Sequence, residues 1–229
     1  MREIVLDTET TGLSPEKGHR VVEIGCVELL NHVPTKNTFQ AYLNPEREMD
    51  EGAQRVHGLT NEFLLDKPKF KEIADEFISF IGNSKIIAHN ASFDINFLNN
   101  ELLKVNKNKI LDDKVIDTLK IARQKFPGAR NSLDALCKRF LVDNSNRTLH
   151  GALLDSELLA EVYLELIGGK EPDLALLVEN KNENEEENRN HDRAVEKRNK
   201  ILDQRLTKAE EVNHRSFIET FKEKPLWYK

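Results

Sequence analysis

Apolar and polar positions along the chain change their period several times, and each change marks an element. Glu3 to Asp7 is a short apolar run that ends in an acid, Val21 to Leu30 is dense in β-branched and aliphatic side chains, and Thr38 to Leu43 alternates apolar with polar. These patterns predict three strands. The first connection is rich in Gly and Pro and the second carries Asn31 and Pro34, residues that suit turns. From about Lys69 to Ile81 the period becomes helical, with Phe70, Ile73, Ala74, Phe77, Ile78 and Ile81 on one face and acids on the other. Lys85 to Ala88 reads as a brief buried strand, and Phe93, Phe97, Leu98 and Leu102 mark another amphipathic helix. Val115 to Asp117 predicts a further strand, and Asn131 to Phe140 and Gly151 to Ile167 two more helices. Strands first and then alternating helix and strand make an α/β domain on a mixed sheet.

The pattern stops after Gly168-Gly169. Residues Glu179 to Asp192 contain no apolar side chain, so they bury too little surface to offset the entropy of ordering them. We expect residues 1–169 to form one domain, 170–192 an acidic flexible linker and 193–229 a segment that docks on a partner. In that last segment Ala194 to Leu206 reads as a charged helix, and Phe217, Ile218, Phe221, Leu226, Trp227 and Tyr228 close the chain. A tether that ends in apolar and aromatic residues is how docking peptides are built; the alternative is a tail that folds back on its own domain.

Composition narrows the classes. A chain of 229 residues is long enough for one well-buried domain and an appendage. With 40 acidic against 34 basic residues the net charge is −6, so no strongly basic balance announces nucleic acid; a protein that grips a polyanion through metal ions does not need one. Cys26 and Cys137 sit in apolar contexts without pairing spacing, which fits thiols in a reducing compartment and a cytoplasmic protein. No apolar run has the length of a membrane span, and the first residues do not read as a signal peptide.

Three short segments carry candidate chemistry. In an extended strand alternate side chains share a face, so Asp7-Thr8-Glu9 presents two carboxylates together, half of a site for a hard metal, although two acids so spaced at a strand end are also common by chance. Gly12, after Thr10-Thr11, adds a turn that a nucleotide backbone can approach closely. Next, His89-Asn90-Ala91-Ser92-Phe93-Asp94 leads from a strand into a helix. A capping acid explains Asp94 equally well, but not why His, Asn and Phe crowd the same turn. Finally, His150-Gly151-Ala152-Leu153-Leu154-Asp155 puts an acid inside an apolar helix, where it needs a cation or a firm donor. An imidazole titrates near neutrality, so His150 is suited to taking a proton from an attacking water, although taken alone it reads better as a surface or capping histidine.

Together these segments resemble the ExoI, ExoII and ExoIII motifs of the DEDD exonuclease superfamily, and the His-x-x-x-x-Asp spacing resembles its histidine-type branch. The likeness extends through Gly18 to Gly25, Arg55 to Thr60, Phe63 to Pro68, Arg130 to Cys137 and Arg147 to Asp155. Those blocks look like the proofreading epsilon subunits of bacterial DNA polymerase III, over almost all of residues 1 to 170 and, in fragments such as Ala209-Glu210-Glu211, in the tail. The resemblance implies a ribonuclease H-like mixed sheet flanked by helices and a metal-dependent 3′→5′ exodeoxyribonuclease that removes mismatched 3′ nucleotides during replication. It implies two divalent cations, Mg²⁺ or Mn²⁺, held by Asp7, Glu9, Asp94 and Asp155, with Asp7 shared, His150 as general base, and nucleoside 5′-monophosphates as products. His57 matches a position that contacts the terminal nucleotide, and the loop around Gly52 should pass the same pocket, with a glycine where relatives often carry an acid. Asn90 and Phe93 are expected to shape that pocket, Phe93 either as a stacking face or as a core residue. Lys120, Arg123, Lys125 and Arg130 could meet DNA phosphates, or form a solvated face.

The same resemblance implies partners: a DNA 3′ end, the polymerase catalytic subunit through the C-terminal segment with Leu226-Trp227 as anchor, a small accessory subunit, and the sliding clamp. At the clamp-binding position the chain reads Glu171-Pro172-Asp173-Leu174-Ala175-Leu176, with an acid where relatives have glutamine. Two rival readings share much of this pattern. An exoribonuclease of the same superfamily would use the same acids and base, and the tethered tail argues against it. A non-catalytic scaffold has no reason to tolerate clustered like charges.

Overall fold

Val21–Leu30 is buried at every position but its last, so this strand has to be covered on both faces, and it takes a place inside the sheet. The computed structural model describes residues 1–145, 147, 149–168 and 207–219. In it β1 (Arg2–Thr10), β2 (Val21–Leu30), β3 (Val33–Tyr42), β4 (Lys85–Ala88) and β5 (Val115–Asp117) form one five-stranded sheet in the order β3-β2-β1-β4-β5. The β1–β2 and β2–β3 pairs are antiparallel and the β1–β4 and β4–β5 pairs parallel, so the sheet is mixed as the element order predicts.

The helices are α1 (Glu51–His57), α2 (Asn61–Leu65), α3 (Phe70–Ile81), α4 (Ser92–Lys104), α5 (Thr118–Lys125), α6 (Leu133–Phe140), α7 (Ala152–Leu166) and α8 (Lys208–Glu219). Strand parity decides which layer each covers. Ile4, Leu6, Ile24 and Cys26 face α3 and α4 through Phe70, Phe77, Phe97 and Leu98. Val5, Val27, Leu29 and Ile87 face α7 through Leu159, Ala160 and Tyr163. Outside α7, Ala122 of α5 and Leu136 and Cys137 of α6 pack on Leu158, Val162 and Leu166. Burying side chains such as Phe77 and Phe97, each almost wholly enclosed, contributes about 1.5–3 kcal/mol apiece.

The short helices α1 and α2 were not legible in the pattern, and β3 begins at Val33 rather than at Thr38. Most of β3 is exposed, so its alternation carries little signal, and its pairing with β2 defines it. The chain divides into two units, Met1–Leu176 and Leu177–Lys229. Of the second, the described part is residues 207–219 with α8, on which Val212 and Phe217 are exposed. The expected linker, the helix expected over Ala194 to Leu206, the clamp-like stretch Glu171 to Leu176 and Leu226-Trp227 lie outside the described residues.

Candidate active site

Asp7 and Glu9 lie at the C-terminal end of β1, beyond the stretch that pairs with β4. Ligand sites of open α/β sheets gather at this edge. Both acids have the parity of Val5 and project toward α7, whereas Thr8 has the parity of Leu6 and projects toward α4. That alternation joins the expected acids. Thr8 donates from its backbone N–H (3.1 Å) and from its hydroxyl (2.7 Å) to Oδ1 of Asp94, in the first turn of α4. From the opposite layer, Asp155 enters on the first turn of α7.

The approach of α7 depends on two residues of β2 to which the sequence reading gave no role. At Gly25 a Cβ would stand 2.2 Å from the backbone of Ala152 and Leu153, so only glycine lets the helix come this close. Gly151, at the N-cap of α7, has no side chain to satisfy the first amides, and Oε2 of buried Glu23 accepts from the Ala152 N–H at 3.1 Å instead. The Ser156 hydroxyl then bonds the Gly25 carbonyl at 2.9 Å. Glycine within an aliphatic strand was the available signal for this contact.

Electrostatics tie the acids into one cluster. Burial, then the charges of Asp94, Glu9 and Asp155, push the Asp7 carboxyl well above the ordinary range. Burial followed by Asp155, Glu23 and Asp94 raises Glu9 to about 8. Asp94 is raised to about 7, chiefly by burial, against the hydrogen bonds from Thr8 that favour its charged form. Burial also pushes Asp155 up, but the bonds and charge of Arg147, with His150 beside it, outweigh it and hold the carboxyl below its ordinary value. Oxygen and nitrogen donors of Glu9, His150 and Asp155 lie within 4.8 Å of one another. A set of buried carboxylates that repel one another, with hard oxygen donors, fits a divalent cation. Arg147, another residue without an assigned role, supplies positive charge within the cluster.

Beside these acids a cavity of about 440 Å³ is lined by Glu9, Gly12, Asp50, Gly52, His57 and Phe93, among others. Gly52 has nothing within 4 Å of a Cβ position, while at Gly12 a Cβ would stand 2.3 Å from the His19 ring. His57 ends α1, accepts at Nδ1 from the Leu59 N–H at 3.1 Å, and turns its Nε2 toward the Thr10 backbone without a fully formed hydrogen bond. Burial lowers its pKa, which keeps the ring neutral. Phe93 packs on Phe97 at 4.9 Å between ring centres and also lines the cavity, so it serves core and pocket together. Asn90 is placed elsewhere. It borders a second cavity with His89, Arg123, Asn131 and Ser132, and its N–H donates to Asp117 at 3.2 Å.

Comparison with known proteins gives this geometry a family. Residues 4–163 match the model of the exonuclease family RNase_T. The DNA polymerase III subunit epsilon of Rickettsia felis is 59% identical over 174 residues, 75% of this chain and 76% of that protein. The Escherichia coli protein of the same name is 53% identical over 176 residues, 74% of this chain and 72% of that one. Among solved structures, Exonuclease X in complex with 5′ overhanging duplex DNA superposes with a TM-score of 0.57 at 26% identity, over 73% of this chain and 92% of that one. The nuclease domain of a DEDDh-family 3′-exonuclease bound to rAMP shares the fold with a TM-score of 0.64 at 20% identity, over 74% of this chain and 92% of that one. By sequence and by fold, then, the chain belongs to the exonuclease family, in the group of the bacterial DNA polymerase III epsilon subunits.

Proposed function

We propose that this chain is a 3′→5′ exonuclease that removes mismatched 3′-terminal nucleotides from DNA, the proofreading subunit of a replicative polymerase. The observation that carries the reading is the meeting of Asp7, Glu9, Asp94, Asp155 and His150 beside a cavity of nucleotide size. The names of the relatives support the same reaction. Enzymes of this family depend on divalent metal. The four carboxylates would hold two such ions, Mg²⁺ or Mn²⁺, in an oxygen-rich shell that suits both. When bound, the ions supply Lewis acidity at the scissile phosphate and at the leaving 3′ oxygen.

The chain's own residues do the rest. His150 takes the proton of the attacking water, and its side chain is exposed enough to pass that proton to solvent. His57 lines the pocket that takes the terminal nucleotide, the open backbone at Gly52 lets the sugar approach, and Phe93 offers a face to the base. Asn90 and Arg123 border the neighbouring cavity and would meet phosphates of the preceding nucleotides. The product is a nucleoside 5′-monophosphate.

Residues 1–169 would form the nuclease domain. By composition, residues 170–192 would act as linker and 193–229 as the segment that docks on the polymerase catalytic subunit, with Leu226-Trp227 as anchor, while the acid at Glu171, where relatives have glutamine, weighs against a clamp contact there. A small accessory subunit would bind the domain. No helix among the described residues is long and apolar enough to cross a membrane, in keeping with work in the cytoplasm.

The test is release of 5′-mononucleotides from single-stranded and 3′-mismatched DNA, with RNA of the same sequence alongside, in Mg²⁺ or Mn²⁺ and with chelator. We expect cation-dependent digestion of DNA that is faster at a mismatch, and a loss of roughly 10²–10⁴-fold in His150→Ala. Preference for RNA would favour an exoribonuclease, and no turnover would leave a scaffold.

A further inference from the structure

Arg147 lies in the loop between α6 and α7, and its side chain is 7% exposed. Nε and Nη2 donate to Oδ1 and Oδ2 of Asp155 at 2.5 and 2.6 Å, a two-pronged fork that occupies both oxygens of that carboxylate. Nη1 donates to Oδ1 of Asp134 at 2.6 Å, and Nη2 stands 2.6 Å from Nδ1 of His150. A guanidinium has donors and no acceptor, so at that distance Nδ1 accepts and the ring proton sits on Nε2. Nδ1 is also 3.2 Å from Oδ2 of Asp155, to which it can donate only if it carries the proton. The guanidinium therefore engages both groups to which the proposed reaction gives roles, the acid at Asp155 and the base at His150.

We propose that Arg147 is a positioning residue that holds the cation's place at Asp155: it occupies that carboxylate and orients the His150 ring until a divalent ion arrives, then withdraws onto Asp134. The inference rests on the cation reading given above. Three observations carry it. The acids of the cluster need positive charge, and Arg147 supplies it through two bonds to Asp155, beside which Glu9 stands. A guanidinium and a divalent ion on one carboxylate would be like charges a few ångströms apart in a poorly screened site, so the two compete. Asp134 is 59% exposed, which gives the displaced side chain an anchor at the mouth of the site and lets it leave without losing its counter-charge. Planar fork geometry also explains why the residue is arginine, since lysine presents only a point charge.

The experiment titrates the full chain with Mn²⁺ by calorimetry, comparing wild type, Arg147→Ala and Arg147→Lys, and follows the Arg147 Nε–H resonance through a parallel Mg²⁺ titration. We expect Arg147→Ala to bind Mn²⁺ on the order of tenfold more tightly than wild type, as loss of a charge-assisted pair at the same atoms implies, with Arg147→Lys between them. We also expect the Nε–H signal to shift in step with Mg²⁺ occupancy. If Arg147→Ala does not fold, Arg147→Lys and the wild-type resonance carry the test. Equal or weaker Mn²⁺ binding in the folded variants, or an Nε–H signal unmoved at Mg²⁺ saturation, would overturn the placeholder. No Mn²⁺ binding in any of the proteins would overturn the cation site itself, and the placeholder with it.

Discussion

At Glu9 and Asp94 the fold holds carboxyl groups that resist losing their protons, and this has a consequence for stability. Their folded values, about 8 and about 7, stand above the ordinary 4.5 and 3.8, so between those limits the folded chain binds more protons than the unfolded one. The stability they contribute is present in acid and is lost as pH rises through 7 and 8. In chelator, the thermal midpoint should therefore fall between pH 5 and pH 8, and excess Mg²⁺ should raise it most at the alkaline end. A midpoint in chelator that climbs over that range would contradict the proposed electrostatics. Asp155 runs the other way: its depressed carboxyl stabilises the fold above the ordinary range and ceases to do so only on acidification. Most of these residues were legible, because acids at alternating positions of a strand end, or inside an apolar helix, are conspicuous. Arg147 was not, because a cation in a loop declares its partner only once the loop is folded.

Among the elements, α7 shows how far periodicity reaches. Its length and apolar character read correctly from Gly151 to Ile167, and the structure places it over Ala152–Leu166. What the pattern could not show is that its seat on the sheet depends on a missing side chain at Gly25 and a borrowed cap from Glu23. Gly25→Ala should force the helix away from β2 and cost about 1–3 kcal/mol or more, as overpacking does, together with most of the activity because Asp155 moves with the helix. Chemical denaturation and mononucleotide release on the same preparation would check both halves, and a stable, fully active variant would refute the account. Glu23→Gln keeps an acceptor for the Ala152 amide and removes a charge near Glu9, so the alkaline loss of midpoint should shrink. The short helices α1 and α2 escaped the sequence reading because one or two turns hold too few apolar positions to establish a period.

For the whole molecule, the cores on both faces of the sheet draw their residues from between Ile4 and Leu166. A fragment of residues 1–169 should therefore keep cation-dependent hydrolysis and a thermal midpoint within a few degrees of the full chain, since nothing in those cores is removed. A fragment that fails to fold would show that the second unit contributes to the core. The mixed sheet was legible because order along the chain constrains topology; the placement of Asn90 on a different cavity from His57 was not, because that depends on how two loops fold. One feature of α7 reaches beyond the site. The helix carries Asp155 near one end, and near the other the Tyr163 hydroxyl donates to buried Glu3 at 3.0 Å, so it is pinned to β1 and β2 along its length. Its amide hydrogens should exchange with solvent only through global unfolding. The acid on α7 is thus a fixed wall of the site, and what moves when a cation binds is the Arg147 side chain.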